Sequence, residues 1–168
     1  MSEPRLLVTG FPVFSDFESN VSQKVLDRLE DEGLPGIDVV TWLLSVDEAG
    51  SRAVSEQIRE GIQIDGVLHL GMAARRDSIC LERQACNGFS MREPDNSGRL
   101  LDSGDIVEEG PPVLTTTAPI HVIDEEFEFH LGKEIHNIFG APVEFGVAFL
   151  SSKTFCFGYC HSLNTDLR

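Results

Sequence analysis

Runs of apolar residues alternate with amphipathic segments along the first half of the chain. Three runs, Leu6–Thr9, Val39–Leu44 and Val67–Leu70, are apolar enough to predict strands buried on both faces. Between these runs, residues 21–31 and 49–61 place apolar side chains three or four positions apart, which predicts two helices, with Ser22 as the cap of the first. The alternation predicts an α/β fold, a three-layer α/β/α sandwich around a mostly parallel, twisted sheet.

The second half of the chain begins with a segment rich in turn-forming residues. Residues 89–119 are rich in Gly, Pro, Asp and Ser, which predicts a long loop or a short hairpin across the face that carries the functional residues. Residues 125–139 carry an apolar stripe at helical spacing, and residues 143–150 predict another inner strand. Since 168 residues with 41% hydrophobic content suffice for one core, we expect a single domain.

Charge and cysteine content narrow the classes of partner and the compartment. The formal net charge of −15 would repel nucleic acids and anionic membrane surfaces, so we expect neither as a partner. No segment approaches the roughly 18 apolar residues that cross a bilayer. The first residues lack the basic flank and apolar run of a secretory signal, so we expect a reducing, cytoplasmic location in which the four cysteines do not form disulfides.

One acid stands beside a cation in the middle of the chain, just before a turn. Glu82 precedes Arg83 in the sequence Glu-Arg-Gln-Ala-Cys-Asn, and residues 92–98 read Arg-Glu-Pro-Asp-Asn-Ser-Gly. Pro fixes φ, Asp and Asn bond their own backbone, and Gly tolerates a positive φ, so a plain surface turn with solvated charges explains the second segment. The same grouping of charges beside a turn is also typical of a site, and the remaining motifs favour the site.

These remaining motifs occur in a recognisable order. Residues 8–14 read Val-Thr-Gly-Phe-Pro-Val-Phe and are followed by Asn20 and Ser22, residues 71–76 read Gly-Met-Ala-Ala-Arg-Arg, and two cysteines come late. Together with Glu82 and its neighbours, the motifs resemble the pyroglutamyl peptidase I family, cysteine peptidases that remove N-terminal pyroglutamate from peptides. The resemblance covers about residues 5–150. It implies an α/β fold, a small peptide with N-terminal pyroglutamate as the substrate, and no cofactor or metal.

The resemblance also implies roles for the N-terminal aromatic residues and for Glu82. The family hydrolyses the amide with a catalytic triad of Cys, His and Glu. Glu82 matches the glutamate, whose role is to orient the histidine. Phe11 and Phe14 match aromatic residues that line the pocket for the pyrrolidone ring, a flat, uncharged lactam that suits an apolar slot. Phe17 fits an ordinary core aromatic residue better.

The implied binding site is completed by two arginines, Arg76 and Arg92, and by Asn20 and Gly71. Arg76 and Arg92 match family arginines that set the electrostatics of the site, and a structural ion pair explains either of them equally well. The substrate-binding residues that the resemblance implies are Phe11, Phe14, Asn20, Gly71, Arg76 and Arg92.

Two cysteines compete for the position of the nucleophile. Alignment of the family signature with residues 151–161 places Cys156 at the nucleophile when Ser151 and Ser152 are its small pair, and Cys160 under the other alignment. We favour Cys156 because its distance in sequence from Gly140 fits the family better than that of Cys160 does. Metal ligation by these two cysteines and the neighbouring histidine lacks the second ligand cluster that zinc sites usually have.

The catalytic histidine of the family has no obvious equivalent in this chain. It follows the cysteine by roughly two dozen residues in the family, which is beyond Arg168, so we expect a domain over residues 1–168 without the usual C-terminal strand and helix. His161 is too close to Cys156 to replace it, and His121, His130 and His136 fit surface positions. We therefore expect weak turnover, with a non-catalytic pyroglutamate-binding homologue or a truncated gene product as alternatives, and self-association through uncovered apolar surface.

Overall fold

A computed structural model describes residues 2–14, 17–72, 80–91, 94–123 and 145–151. The helix predicted over 125–139 lies outside these residues, and the described backbone at 120–123 is helical. The described elements, in chain order, are β1 (Arg5–Gly10), α1 (Val21–Glu32), β2 (Asp38–Leu43), α2 (Glu48–Arg59), β3 (Gly66–Met72), β4 (Cys80–Glu82), β5 (Gln84–Cys86), β6 (Val113–Thr115) and β7 (Phe145–Ser151).

Five strands form the main sheet in the order β2-β1-β3-β7-β4. β1 pairs in parallel with both β2 and β3, and β4 pairs in parallel with β7, whereas β3 and β7 are antiparallel. The first three strands are the three apolar runs of the sequence, and β7 is the strand predicted over 143–150. The predicted α/β fold with a mostly parallel sheet is confirmed.

The two helices of the βαβ units cover opposite faces of the sheet. Leu7 of β1 packs in a buried cluster with Val54 of α2, whereas the next residue, Val8, packs with Leu26 of α1. Successive side chains of a strand point to opposite faces, so one strand supplies both layers of the core. This alternation produces the predicted three layers from a strand whose sequence is continuously apolar.

The start of α1 differs from the prediction. Asn20, not Ser22, is the N-cap, and its Oδ1 accepts a hydrogen bond from the backbone N of Ser22 at 3.0 Å. Ser22 already belongs to the first turn of the helix, and its hydroxyl accepts a hydrogen bond from the backbone N of Phe11 at 2.9 Å. The predicted cap is wrong by two residues because the serine side chain faces the segment after β1 rather than the helix end.

Short strands that the sequence pattern did not indicate surround the predicted loop. β5 and β6 form an antiparallel pair, and Phe89 and Gly104 form an isolated bridge between them in sequence. Asn87 ties the intervening chain together, because its Nδ2 donates to the carbonyl O of Val107 and its Oδ1 accepts from the backbone N of Val107, both at 2.8 Å. Of the two predicted alternatives, a long loop or a short hairpin, the structure has elements of both: β6 pairs with β5, just before residue 89, and a long, internally bonded segment connects them.

Gly50, in the first turn of α2, has no room for a side chain. A Cβ built at this position would lie 1.9 Å from the backbone O of Ser45. We expect Gly50→Ala to lower the free energy of unfolding by about 3 kcal/mol, because the backbone of the β2–α2 loop must move. Urea denaturation measures the loss. Gly66→Ala is the control: its Cβ would meet only the side-chain end of Leu6, at 3.3 Å, and an equal loss there would contradict the explanation.

Among the described residues, no helix is long and apolar enough to cross a membrane.

Candidate active site

Glu82 lies at the end of β4, partly buried, on a row of residues that crosses the main sheet. Glu82 and His69 both pair with Ala148 of β7, from opposite sides of that strand, and Thr9 pairs with His69. Residues paired across a sheet project from the same face, so the Glu82 and His69 side chains share a face, with their Cα atoms about two strand spacings, or about 10 Å, apart. His69 is not among the site residues that the sequence motifs indicate.

His69 is held by a hydrogen bond on this shared face. Its Nδ1 lies 2.7 Å from Oγ1 of Thr9, and Thr9 is fully buried. The side chain of Leu7, two residues before Thr9 in β1, packs in the cluster that contains Val54 of α2, so the pair lies on the α2 face of the sheet. Burial lowers the pKa of His69 to about 4. The imidazole is therefore neutral at pH 7. The sequence signal that could have identified His69 is its position as a polar residue inside the apolar run Val67–Leu70.

The neutral state of His69 makes stability depend on pH. In the unfolded chain His69 binds a proton near pH 6.5, but in the folded chain only near pH 4. We therefore expect the free energy of unfolding to fall as the pH drops from about 6.5 to 4, by about 3 kcal/mol in total, and to be unaffected by this group above pH 7. Urea denaturation between pH 7.5 and 4.5 measures the slope.

Two variants identify the histidine responsible. His69→Gln should remove most of the slope because glutamine does not titrate, whereas His121→Gln should preserve it because His121 is exposed. A slope that survives in His69→Gln would contradict the assignment.

Phe11 follows β1 directly and is anchored by the start of α1. It is 4% exposed and belongs to the core cluster on the α2 face, with Leu44 and Val46. Its backbone N donates to the Ser22 hydroxyl, and the Asn20 Nδ2 donates to the carbonyl O of Pro12 at 3.0 Å. The side chains of Ser22 and of the N-cap Asn20 therefore fix the backbone at the start of the loop that carries Phe11 and Phe14, called the pocket loop below.

Asn20, predicted to bind substrate, is 2% exposed. Its Oδ1 accepts from the backbone N and, at 2.7 Å, from the hydroxyl of Ser22, and its Nδ2 donates to Pro12. These bonds give it a role in loop anchoring and helix capping, and direct substrate contact stays a prediction.

Phe14 and Phe17 form an aromatic pair at the surface side of this loop. Their ring centroids are 5.5 Å apart at an interplanar angle of 59°. Phe14 packs against the core cluster, whereas Phe17 is 40% exposed. The interpretation of Phe17 as a core aromatic residue is therefore wrong, because its ring contacts Phe14 from the solvent side and is not buried in the core.

Residues 94–98 form the predicted turn, and Gly98 has a φ of 81°, which is why glycine is needed there. The carboxylate of Asp95 accepts hydrogen bonds from the backbone N and the hydroxyl of Ser97 and from the backbone N of Arg99. The hydroxyl of Ser97 is the main reason that the pKa of Asp95 is lowered from its usual value. The turn is therefore not a plain surface turn with solvated charges, because the carboxylate of Asp95 is hydrogen-bonded to Ser97 and Arg99 within it.

The structure brings together only some of the predicted site residues. Gly71, the next-to-last residue of β3, lies two residues beyond His69, toward the same end of the sheet as Phe11. The other predicted residues lie outside the described part of the chain: Arg76, Arg92, Cys156 and Cys160, together with His130, His136 and His161.

Two other features of the described residues do not belong to this site. No group of three or more His, Cys, Asp or Glu side chains within residues 2–14, 17–72, 80–91, 94–123 and 145–151 could hold a metal ion. An open groove of about 500 Å³ lies between the end of α1 and β2, lined by residues such as Leu29, Leu34 and Val39. It is at the opposite edge of the sheet from Glu82 and contains none of the predicted site residues.

Comparison with known proteins identifies the family of the chain. The family model for pyroglutamyl peptidase matches residues 4–132. The pyrrolidone-carboxylate peptidase 1 of Ralstonia nicotianae is 33% identical over 123 residues, which are 73% of this chain and 57% of that protein. The pyrrolidone-carboxylate peptidase of Pyrococcus furiosus is 31% identical over 119 residues, 71% of this chain and 57% of that protein. The chain thus spans less than two thirds of the length of these relatives.

Solved structures agree in fold. The pyrrolidone carboxyl peptidase of Thermus thermophilus superposes with a TM-score of 0.65 at 36% identity, covering 74% of this chain and 64% of that one. The enzyme of Fervidobacterium islandicum gives a TM-score of 0.68 at 25% identity, covering 86% of this chain and 80% of that one. Glu82, Phe11, Phe14, Asn20 and Gly71 all lie within the residues that the family model matches, and the resemblance seen in the sequence is confirmed. The chain belongs to the pyroglutamyl peptidase family.

Proposed function

We propose that this protein is a cysteine exopeptidase that removes pyroglutamate from the N-terminus of small peptides, with Cys156 as the nucleophile and Cys160 as the second candidate. The observation that carries the proposal is the family match over residues 4–132, because it includes Glu82 and the predicted pocket loop. The activity is a proposal since the chain covers 57% of the length of the relatives named above.

The pocket loop suits a pyrrolidone ring. The ring is flat and uncharged, so it is bound by apolar side chains with a few oriented polar groups. Phe14 is partly buried against the core, and the backbone of Phe11 and Pro12 before it is held by the bonds to Ser22 and Asn20. A loop anchored in this way loses little conformational entropy when it binds the ring. Arg76 and Arg92 are proposed to contribute positive charge, which favours a thiolate nearby.

The proposed chemistry follows the general course of amide hydrolysis by a thiolate. The sulfur of Cys156 attacks the carbonyl carbon of pyroglutamate, and the C–N bond to the next residue breaks as its amine takes up a proton. Water then hydrolyses the thioester, which releases pyroglutamate and regenerates the thiol. Glu82 is proposed to orient the imidazole that supplies the proton, and that imidazole is not assigned to a histidine of this chain.

A second candidate function is the binding of pyroglutamate without turnover. The family match ends at residue 132, before Cys156 and Cys160, whereas the pocket loop and Glu82 lie inside it. The two functions share a pocket and differ in the nucleophile. They are therefore separated by measuring binding and turnover on the same preparation.

The test uses the full chain with two chromogenic amides, one of pyroglutamate and one of proline, and calorimetry with 2-pyrrolidone. Release from the pyroglutamyl amide alone supports the peptidase. Binding of 2-pyrrolidone without release supports the binding homologue. Neither binding nor release would refute both functions. The prolyl amide is the control because proline has a five-membered ring of similar size but lacks the lactam carbonyl.

A further inference from the structure

The turn at residues 95–99, called the brace below, is attached to the start of α2. The backbone N of Asn96 donates to the carbonyl O of Val46 at 2.9 Å. Arg99 binds acids on two sides: its Nε donates to Asp95 at 3.2 Å, and its Nη1 pairs with Glu48 in the first turn of α2. Arg99 is thus the side chain that joins the brace to the helix.

The loop between β2 and α2, to which the brace is attached, also packs against Phe11. The backbone N of Leu44 donates to the carbonyl O of Gly10 at 2.8 Å, and Leu44 and Val46 are buried in the same cluster as Phe11. Asp47 caps α2 by accepting from the backbone N of Gly50 at 2.9 Å. The β2–α2 loop is therefore hydrogen-bonded to the end of β1 and packed against Phe11 on one side, and hydrogen-bonded to the brace on the other.

We propose that Arg99 is a positioning residue for the pyroglutamate pocket: by bridging Asp95 and Glu48, it holds the β2–α2 loop against Phe11. The inference rests on the proposed function, because it assigns the pocket loop to ligand binding. The geometry favours a bridge over two separate contacts, since the guanidinium is a planar fork whose donors can reach two carboxylates at once.

The burial of the two acids shows that the bridge is asymmetric. The side chain of Asp95 is 6% exposed, whereas those of Glu48 and Arg99 are 46% and 37% exposed. Exposed ion pairs contribute little to global stability, so the half of the bridge at Glu48 is not required for folding. Its effect is local, on the distance between the brace and α2. This is the reason to expect a change in binding without a comparable change in stability.

The experiment compares Arg99→Gln with Arg52→Gln. Arg52 pairs with the same Glu48, at 2.6 Å, but has no bond to the brace, which makes it a matched control for loss of one cation beside that acid. We expect Arg99→Gln to weaken the binding of 2-pyrrolidone about tenfold in calorimetry, and Arg52→Gln to change it less than twofold. Arg99→Lys should give an intermediate loss, because an ammonium group keeps the charge but cannot bridge both acids in the same geometry.

Hydrogen exchange supplies the readout that a purely global effect would not give. Arg99→Gln should raise exchange at the amides of Asn96 and Leu44 about tenfold relative to Arg52→Gln, with the amides of α1 unchanged. Equal binding and equal exchange in the two glutamine variants would overturn the proposal, as would failure of both Arg99 variants to fold. Neither binding of 2-pyrrolidone nor release from the pyroglutamyl amide by the unaltered chain would instead refute the proposed function, and the role of Arg99 in the pocket with it.

Discussion

Cys156→Ala is expected to lower the release of product from a pyroglutamyl chromogenic amide to the rate measured without protein, because the thioester cannot form without the sulfur of the proposed nucleophile. The loss should appear in kcat. Binding of 2-pyrrolidone should persist, since the pocket loop is anchored by Ser22 and Asn20, far away in sequence from Cys156. Steady-state rates and calorimetry on one preparation measure the two effects.

Cys160→Ala is the matched control for this prediction. The two cysteines are four residues apart, so both substitutions remove one thiol from the same short segment. Cys160→Ala should retain activity within about threefold. The reverse pattern would assign the nucleophile to Cys160. Full activity in both variants would rule out a cysteine mechanism at this segment.

Glu82→Gln is expected to lower kcat by at least about tenfold with little change in KM. Glutamine has nearly the same shape as glutamate, but it cannot stabilise an imidazolium or fix its tautomer as a carboxylate does. Glu82 lies at the end of β4, and its partner in β7 also pairs with His69, so the sheet holds its backbone in place. Substitution at this position therefore changes charge with little change in structure.

Glu56→Gln provides the control for the loss of one negative charge. Glu56 is an exposed residue of α2, and its substitution should leave kcat unchanged. The double variant Cys156→Ala, Glu82→Gln should be no slower than Cys156→Ala, because residues that act as one unit have effects that do not add. A Glu82→Gln variant with kcat within threefold of the unaltered chain would refute the orienting role.

His69 shows what the periodicity of apolar residues cannot provide. It lies within the run Val67–Leu70, which predicts a buried strand equally well with or without a histidine. Its pairing with Thr9 and its place on the same face as Glu82 depend on the register of four strands that are far apart in sequence. Register is set by packing and turn geometry together, so no local pattern contains it.

In the turn at residues 94–98, the local backbone conformation follows from the sequence, whereas its attachment to α2 does not. Pro, Asp, Asn and Gly indicate a turn at residues 94–98 by their own backbone preferences, and the structure has one. The bridge from Arg99 to Glu48 joins residues 51 positions apart. A surface arginine next to a turn has many acids within reach in an unfolded chain, and only the docking of the turn on α2 selects this one.

By itself, the sequence determined the strands of the first half of the sheet, the two helices between them, the turn at 94–98 and the family, because each depends on residue types at local spacing. The tertiary structure decided that Asn20 caps α1 while Ser22 holds Phe11, that Phe17 lies outside the core, and that Glu82 and His69 share a face. These features depend on which surfaces meet when strands and helices pack, and the free energy of that packing is shared among residues distant in sequence.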